Sequence, residues 1–143
     1  MNVTHLLSIK GREVTTISPH RSVRDALDVL REHGIGALVV RGATPPFDGI
    51  LSERDIVRAL AIDGAAALDR SVDELMTREV NVCEESTSLA ALMALMTEKR
   101  IRDVPVVRDG QLTGLVSIGD VVKARVDELE RERRELLDYV AAR

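Results

Sequence analysis

Two segments of the sequence set a hydroxyl and a carboxylate three residues apart where a strand runs into a helix: Gly49-Ile50-Leu51-Ser52-Glu53-Arg54-Asp55 and Gly114-Leu115-Val116-Ser117-Ile118-Gly119-Asp120. A carboxylate close to a helix N-terminus is a strong hydrogen-bond acceptor, and a pair of vicinal hydroxyls offers it two donors in a fixed geometry. The same Ser-x-x-Asp spacing also makes a capping box, in which the serine accepts from a backbone N–H and the acid reaches back. Capping and binding are compatible. Ser52, Asp55, Ser117 and Asp120 are therefore the candidate polar residues on either account, with Arg54 a cation inside the first segment and a solvated surface arginine as its plain alternative.

Other chemistries find less support. His5, His20 and His33 show no metal-ligand spacing with one another or with Cys83. Ser52, Ser117 and Cys83 lack an identifiable base and orienting acid, and no Gly-rich phosphate loop is present. Catalysis is accordingly the weakest functional reading of these residues. Glu84-Glu85 reads as a solvated turn. The net charge is −4 with both signs spread along the 143 residues, which argues against a nucleic-acid or anionic-membrane footprint. The lone Cys83 allows no intrachain disulfide, and no basic segment followed by an apolar stretch opens the chain, so a cytoplasmic location is expected. No apolar run approaches the ~20 residues of a membrane span.

The elements that must position these residues occur twice. Val14-Thr15-Thr16-Ile17 matches Val80-Asn81-Val82-Cys83, and Ser22-Val23 matches Ser88-Leu89, each 66 residues on. Val23, Ala26, Leu27 and Leu30 form an amphipathic helical stripe that Leu89, Leu92, Met93 and Met96 repeat. Ser22 and Asp25 read as a further capping box. Ala37-Leu38-Val39-Val40 and Val104-Pro105-Val106-Val107 read as buried strands. Turns follow at Gly42 to Asp48 and at Asp109-Gly110, after which the two Ser-x-x-Asp segments pair at an offset of 65. Each copy is expected to run strand, helix, strand, strand, helix. The lead-ins match as well, Val3 to Ser8 with Val72 to Thr77, and Gly64 to Ala67 with the short helix opened by Ser71 forms the linker. At about 60 residues neither copy buries enough core to stand comfortably alone, so the two should pack together about a pseudo-twofold axis.

From Gly119 to about Ala142 the sequence is helical without a breaker. Val122, Val126, Leu129, Leu136 and Val140 make a stripe interrupted at Arg133, and Asp127–Arg131 and Glu130–Arg134 are i,i+4 pairs that support the solvent face. The stripe overruns the repeat, and a homodimer contact is favoured over packing on its own domain.

Taken together, the two Gly-apolar-apolar-Ser-x-x-Asp segments, the Val104-Pro105-Val106 strand and the repeat from about Leu6 to Val126 resemble the tandem cystathionine-β-synthase-type (CBS) domain pair, as a stand-alone signalling module of the bacterial type. The resemblance implies an α/β (α+β) fold of two pseudo-twofold-related β-α-β-β-α domains packed through their sheets, over residues 1–66 and 67–126, with a C-terminal helical extension at 127–143. It implies two clefts that bind adenosine derivatives such as AMP, ADP, ATP, NAD or S-adenosylmethionine, with no metal required, and a module that dimerises. By the family's pattern Asp55 and Asp120 hold ribose, with Ser52 and Ser117 near the ribose or phosphates. Thr16, Ile17, Ala37 and Leu38 accompany Asp120; Val82, Cys83, Val104 and Pro105 accompany Asp55, each apolar one being equally a plain core residue. Arg102 stands where the family often places a basic residue facing the cleft. Asp103 departs from the His or Arg often found there, which argues against a highly phosphorylated ligand. The leading expectation is a sensor signalling to a separate, unidentified effector protein; the alternative is a ligand-independent homodimeric interaction module.

Overall fold

The computed structural model describes residues 1–142. In chain order the elements are α1 (Val3–Lys10), β1 (Thr16–Ile17), α2 (Val23–His33), β2 (Ala37–Val40), β3 (Gly49–Ser52), α3 (Glu53–Asp63), a 3₁₀ segment (Gly64–Asp69), α4 (Val72–Leu75), α5 (Leu89–Lys99), β4 (Asp103–Arg108), β5 (Gln111–Ser117) and α6 (Ile118–Ala141). One sheet has the order β1-β2-β3, β1 parallel and β3 antiparallel to β2; the other is the β4-β5 hairpin. Asp109 and Gly110 both take positive φ at the hairpin's two-residue turn, the backbone that matches strand twist.

Strand alternation sorts the core into three parts. Leu38 and Val40 of β2 face the helices with Val23, Ala26, Leu30 and Ile56. Ala37 and Val39 point the other way and, with Ile50, meet Leu112 and Leu115 of β5, which joins the sheets face to face. Val104, Val106 and Val116 face Leu89, Leu92 and Met96.

The lead-in helices are exchanged. Val3, Leu6 and Leu7 of α1 are buried with the second half's core, while Val72 of α4 and Met76 just beyond it are buried with the first. Backbone bonds seal both crossings: Val3 N–H to Thr87 O at 2.9 Å and Leu89 N–H to Met1 O at 3.1 Å on one side, Val72 N–H to Arg21 O at 2.8 Å and Val23 N–H to Arg70 O at 2.9 Å on the other.

The structure departs from the repeat at Val80–Cys83, expected to be a strand. Only Cys83 pairs there, as a single parallel bridge to Val106. In the first half Val39 N–H donates to Thr15 O at 3.3 Å. The equivalent position in the second half is Pro105, which has no N–H to give Asn81, so the ladder stops at one bridge. A second departure is at Ser22, which caps α2 by accepting from Asp25 N–H at 3.0 Å, while the Asp25 carboxylate takes Arg21 Nε at 3.0 Å. The box is half made. On α6, Arg125 pairs with Glu128.

Gly49 sits where the crossing chain passes closest: a Cβ there would lie 2.5 Å from Thr77 O and 3.1 Å from Met76 Sδ. At Gly114 the equivalent Cβ would meet only the methyl groups of Leu7, at 2.8 Å. Gly49→Ala is expected to destabilise by about 1–3 kcal/mol, since backbone must move, and Gly114→Ala by less because a leucine rotamer can yield. Urea denaturation of the two variants checks the order.

Candidate functional site

Both Ser-x-x-Asp segments form complete capping boxes. At α3, Ser52 Oγ accepts from Asp55 N–H at 3.3 Å and Asp55 Oδ2 accepts from Ser52 N–H at 2.9 Å; at α6 the corresponding distances are 3.2 and 2.9 Å. Each aspartate is thereby fixed in orientation at a helix start. Asp55 Oδ2 also accepts from Ser52 Oγ at 3.1 Å, and Oδ1 accepts from Thr77 Oγ1 at 3.2 Å. Thr77 arrives on the exchanged segment, where its backbone pairs with Ile50 in both directions, at 2.8 and 3.0 Å.

Beside Asp55 opens a cavity of about 450 Å³ between the halves. The first half lines it with Gly36, Ile50, Ser52, Glu53, Arg54, Asp55 and Arg58. Facing these are Thr77, Glu79, Val80 and Asn81, then Lys99, Arg100, Ile101, Arg102 and Asp103, and finally Ser117 and Ile118. The volume lies within the usual range for small-molecule sites, and the lining is mostly charged and polar, with Ile50, Val80, Ile101 and Ile118 as its apolar side chains. Arg54, Arg58, Lys99, Arg100 and Arg102 give it five cations. Arg54 Nη1 donates to Arg100 O at 3.3 Å across the cleft. Arg100 ends α5 in the left-handed region at φ 54°, where the first half has Gly34. A non-glycine residue held there stores conformational cost, of order 1–3 kcal/mol, as is common at functional sites.

The structure brings together Ser52, Asp55, Arg54 and Arg102 around this cavity. It does not bring Val82, Cys83, Val104 or Pro105 into the lining. Cys83 and Val104 are buried in the second core, Pro105 is buried in the same strand, and Val82 is exposed. The lining lies two residues earlier on each segment, at Val80-Asn81 and Arg102-Asp103, because the cavity is at the strand ends and mid-strand side chains pack on helices. Burial pushes the Cys83 thiol up to about 11, which leaves it a poor nucleophile. Arg58, Lys99 and Arg100 were not singled out in the sequence; Arg58 falls one helical turn after Asp55, and the Lys-Arg pair ends the helix just before Arg102. Thr77 was visible only as the match of Ser8 in the lead-ins.

Around Asp120 the arrangement differs. Ser117 lines the Asp55 cavity, while Thr16, Ile17, Ala37 and Leu38 do not. Thr16 is exposed, Ile17 and Leu38 lie in the first helical core, and Ala37 lies between the sheets. Lys10 Nζ donates to Asp120 Oδ2 and to Leu115 O, both at 2.6 Å. Burial raises the Asp120 carboxyl, but Lys10 and the Ser117 donors outweigh it and hold the group below the usual value. Asp103 moves the other way: burial, with Asp120 and Glu53 nearby, raises it against the pull of Lys10 and Arg102.

The family model for the CBS domain matches this chain twice, at residues 8–62 and 72–127. The chain belongs to the CBS domain family. The sequence is 40% identical over 124 residues to the CBS domain-containing protein CBSX3, mitochondrial, of Arabidopsis thaliana, covering 83% of this chain and 60% of that relative's length. Among solved structures, a CBS-domain protein, ATU1752 from Agrobacterium tumefaciens, superposes with a TM-score of 0.84 at 47% identity, over 87% of this chain and 92% of that one. The CBS domain pair of protein MJ0100, solved with 5′-methylthioadenosine and S-adenosyl-L-methionine, superposes at 0.76 with 26% identity, over 87% of this chain and 98% of that one. The tandem CBS fold with its C-terminal helix is thus shared with known CBS-pair proteins, and a CBS pair of this architecture accommodates adenosine ligands. No helix among the described residues is long and apolar enough to cross a membrane.

Asp103 gives a pH-dependent prediction. A carboxyl raised in the folded state favours folding as pH falls and opposes it once ionised. Asp103→Asn is therefore expected to stabilise the chain at pH 7, with the gain fading as pH falls from the raised value through the ordinary 3.8. Denaturant midpoints across that window check it; an unchanged difference at every pH contradicts it.

Proposed function

We propose that this CBS pair is a regulatory module that binds an adenosine nucleotide in the cavity between its halves, the Asp55 carboxylate accepting the ribose hydroxyls. The observation that carries this reading is the placement of an oriented carboxylate at one wall of a cavity that also holds a cluster of cations. Asp55 is held by neutral donors, Ser52 and Thr77, so its negative charge remains for a diol to meet. Ile50, Val80, Ile101 and Ile118 supply apolar surface for a base. Arg54, Arg58, Lys99, Arg100 and Arg102 favour a phosphate-bearing ligand, with AMP, ADP, ATP and NAD ahead of S-adenosylmethionine. Asp103, Glu53 and Glu79 oppose a high phosphate count.

A second copy of the chain covers the α6 stripe of Val122, Val126 and Leu129, each about half exposed, and the ligand signals through a change in that homodimer to a separate effector protein in the cytoplasm. A ligand shifts such an arrangement only by binding its two states unequally. The complete capping boxes favour one other reading, a ligand-independent interaction module in which Ser-x-x-Asp serves as helix cap alone.

A thermal-shift titration with AMP, ADP, ATP, NAD and S-adenosylmethionine separates the two. At a hundred times its dissociation constant the ligand adds about 2.7 kcal/mol to the folded state, a rise of several degrees that Asp55→Ala removes. If no adenosine compound moves the midpoint at millimolar concentration while Asp55→Ala still costs about 1 kcal/mol as a lost cap, the interaction-module reading replaces the sensor.

A further inference from the structure

Past Ala124, the last buried residue of α6, the helix runs on to Ala141 with its apolar side chains in the open. Val122, Val126 and Leu129 are each about half exposed, and Leu136, Leu137, Tyr139 and Val140 more than half. A helical run of that length is marginal in water without packing along one face. The stripe has a regular spacing of 4-3-4-3-4 through Val122, Val126, Leu129, Arg133, Leu136 and Val140. That is a heptad pattern, with Val126, Arg133 and Val140 at a and Val122, Leu129 and Leu136 at d.

We propose that residues 122–140 of α6 pair with the same residues of a second copy of the chain as a parallel, in-register, two-stranded coiled coil. The proposal rests on the homodimer reading given above, extends it to the free end of α6, and is independent of the ligand. Charge selects both the occupant and its direction. In a parallel pair Arg125, at g, meets the partner's Glu130, at e, and Glu132, at g, stands beside the partner's Arg133, at a; the twofold axis makes each contact twice. Arg125 also holds Glu128 on its own helix, and its guanidinium has N–H groups left for a second carboxylate. An antiparallel pair that matches the whole stripe sets Val122 against the partner's Val140 and Val126 against the partner's Leu136. Its flanks then bring Glu130 to the partner's Glu130 and Glu132 to the partner's Glu132, like charges face to face. The seam also sets the number of strands. β-Branched residues at a with leucine at d favour two strands, as Val126 and Val140 with Leu129 and Leu136 provide, and a single basic residue at an a position fixes register and oligomer state at a cost in stability. In a dimer the Arg133 stem lies along the seam while its head reaches the rim; a larger bundle would enclose it.

Sedimentation equilibrium of the full chain, wild type and variants, tests this. The wild type is expected to be a dimer. Leu136→Glu, which puts two carboxylates into one d layer, is expected to raise the dissociation constant at least about tenfold. Arg133→Ile is expected to lower it with two strands retained. Both positions are exposed in the single chain, so its core is left intact. Direction is read from Leu136→Cys, whose thiol is the accessible one because Cys83 is buried. In the parallel pair the two introduced thiols face each other, and mild oxidation links the chains. Antiparallel, they would lie about ten residues apart along the axis, roughly 15 Å, beyond the span of a disulfide. A dimer that is indifferent to Leu136→Glu, that Arg133→Ile does not tighten, or that leaves Leu136→Cys unlinked overturns the coiled coil while the homodimer through Val122 and Val126 stands. A wild-type tetramer overturns the two-stranded pairing. A wild-type monomer at every concentration overturns the homodimer reading and this proposal with it.

Discussion

Leu7 reaches 1% exposure not beside the strand it precedes but among Leu89, Leu92 and Val104 of the other half, and Val72 is fully buried among Val23, Leu38 and Ile56 of the half before it. This exchange of lead-in segments is the constraint on which the rest of the molecule depends. Burying a leucine or valine side chain is worth about 1.5–3 kcal/mol, and the exchange places several such side chains where neither half can be removed without exposing the other's core. Each half of about 60 residues would be marginal alone. Bound this way, they hold a fixed mutual position, and a cavity whose walls come from both becomes a preorganised feature.

The exchanged segments also finish the polar chemistry of the two strand-to-helix junctions. Thr77 and Lys10 are both delivered by them, one as a hydroxyl and one as an ammonium, onto carboxylates that the capping boxes have already oriented. The capping geometry is compatible with the proposed ligand contact: it uses Oδ2 for the helix start and sets the direction of the other oxygen. Symmetry of the backbone coexists with asymmetry of charge. The same is true at the helix ends, where Gly34 in one half corresponds to Arg100 in the other, and at the strands, where Val39 corresponds to Pro105. The second half gives up a backbone hydrogen bond at Pro105 and takes on a left-handed arginine, and the cavity gains Arg100 and Asn81 on its wall.

The repeat, both complete capping boxes, the long α6 and the α/β order of elements were legible in the sequence because each depends on local spacing: periods of two and 3.6 residues, Ser-x-x-Asp, and a recurring offset. The cavity wall was less so. Arg54 and Arg102 were found through the segments that contain them, but Arg58, Lys99 and Arg100 sit on solvent-facing positions that carry no periodicity. The family pattern puts Cys83 and Val104 beside the cleft, whereas both are buried in the second core, because strand centres are covered by helices and only the strand ends open onto the cavity. The single bridge at Cys83 could have been read from Pro105, whose missing N–H is written in the sequence. The Lys10–Asp120 pair could not, since it depends on a helix crossing to the other half, 110 residues along the chain.

In the proposed module one ligand is held by segments from both halves at once. Amide chemical shifts of the 15.7 kDa chain, followed by NMR during an AMP titration, test it most directly. Ser52–Asp55 on one side and Lys99–Asp103 on the other are expected to move together and saturate at a common midpoint. Movement of one segment with the other silent, or two separate midpoints, would contradict it.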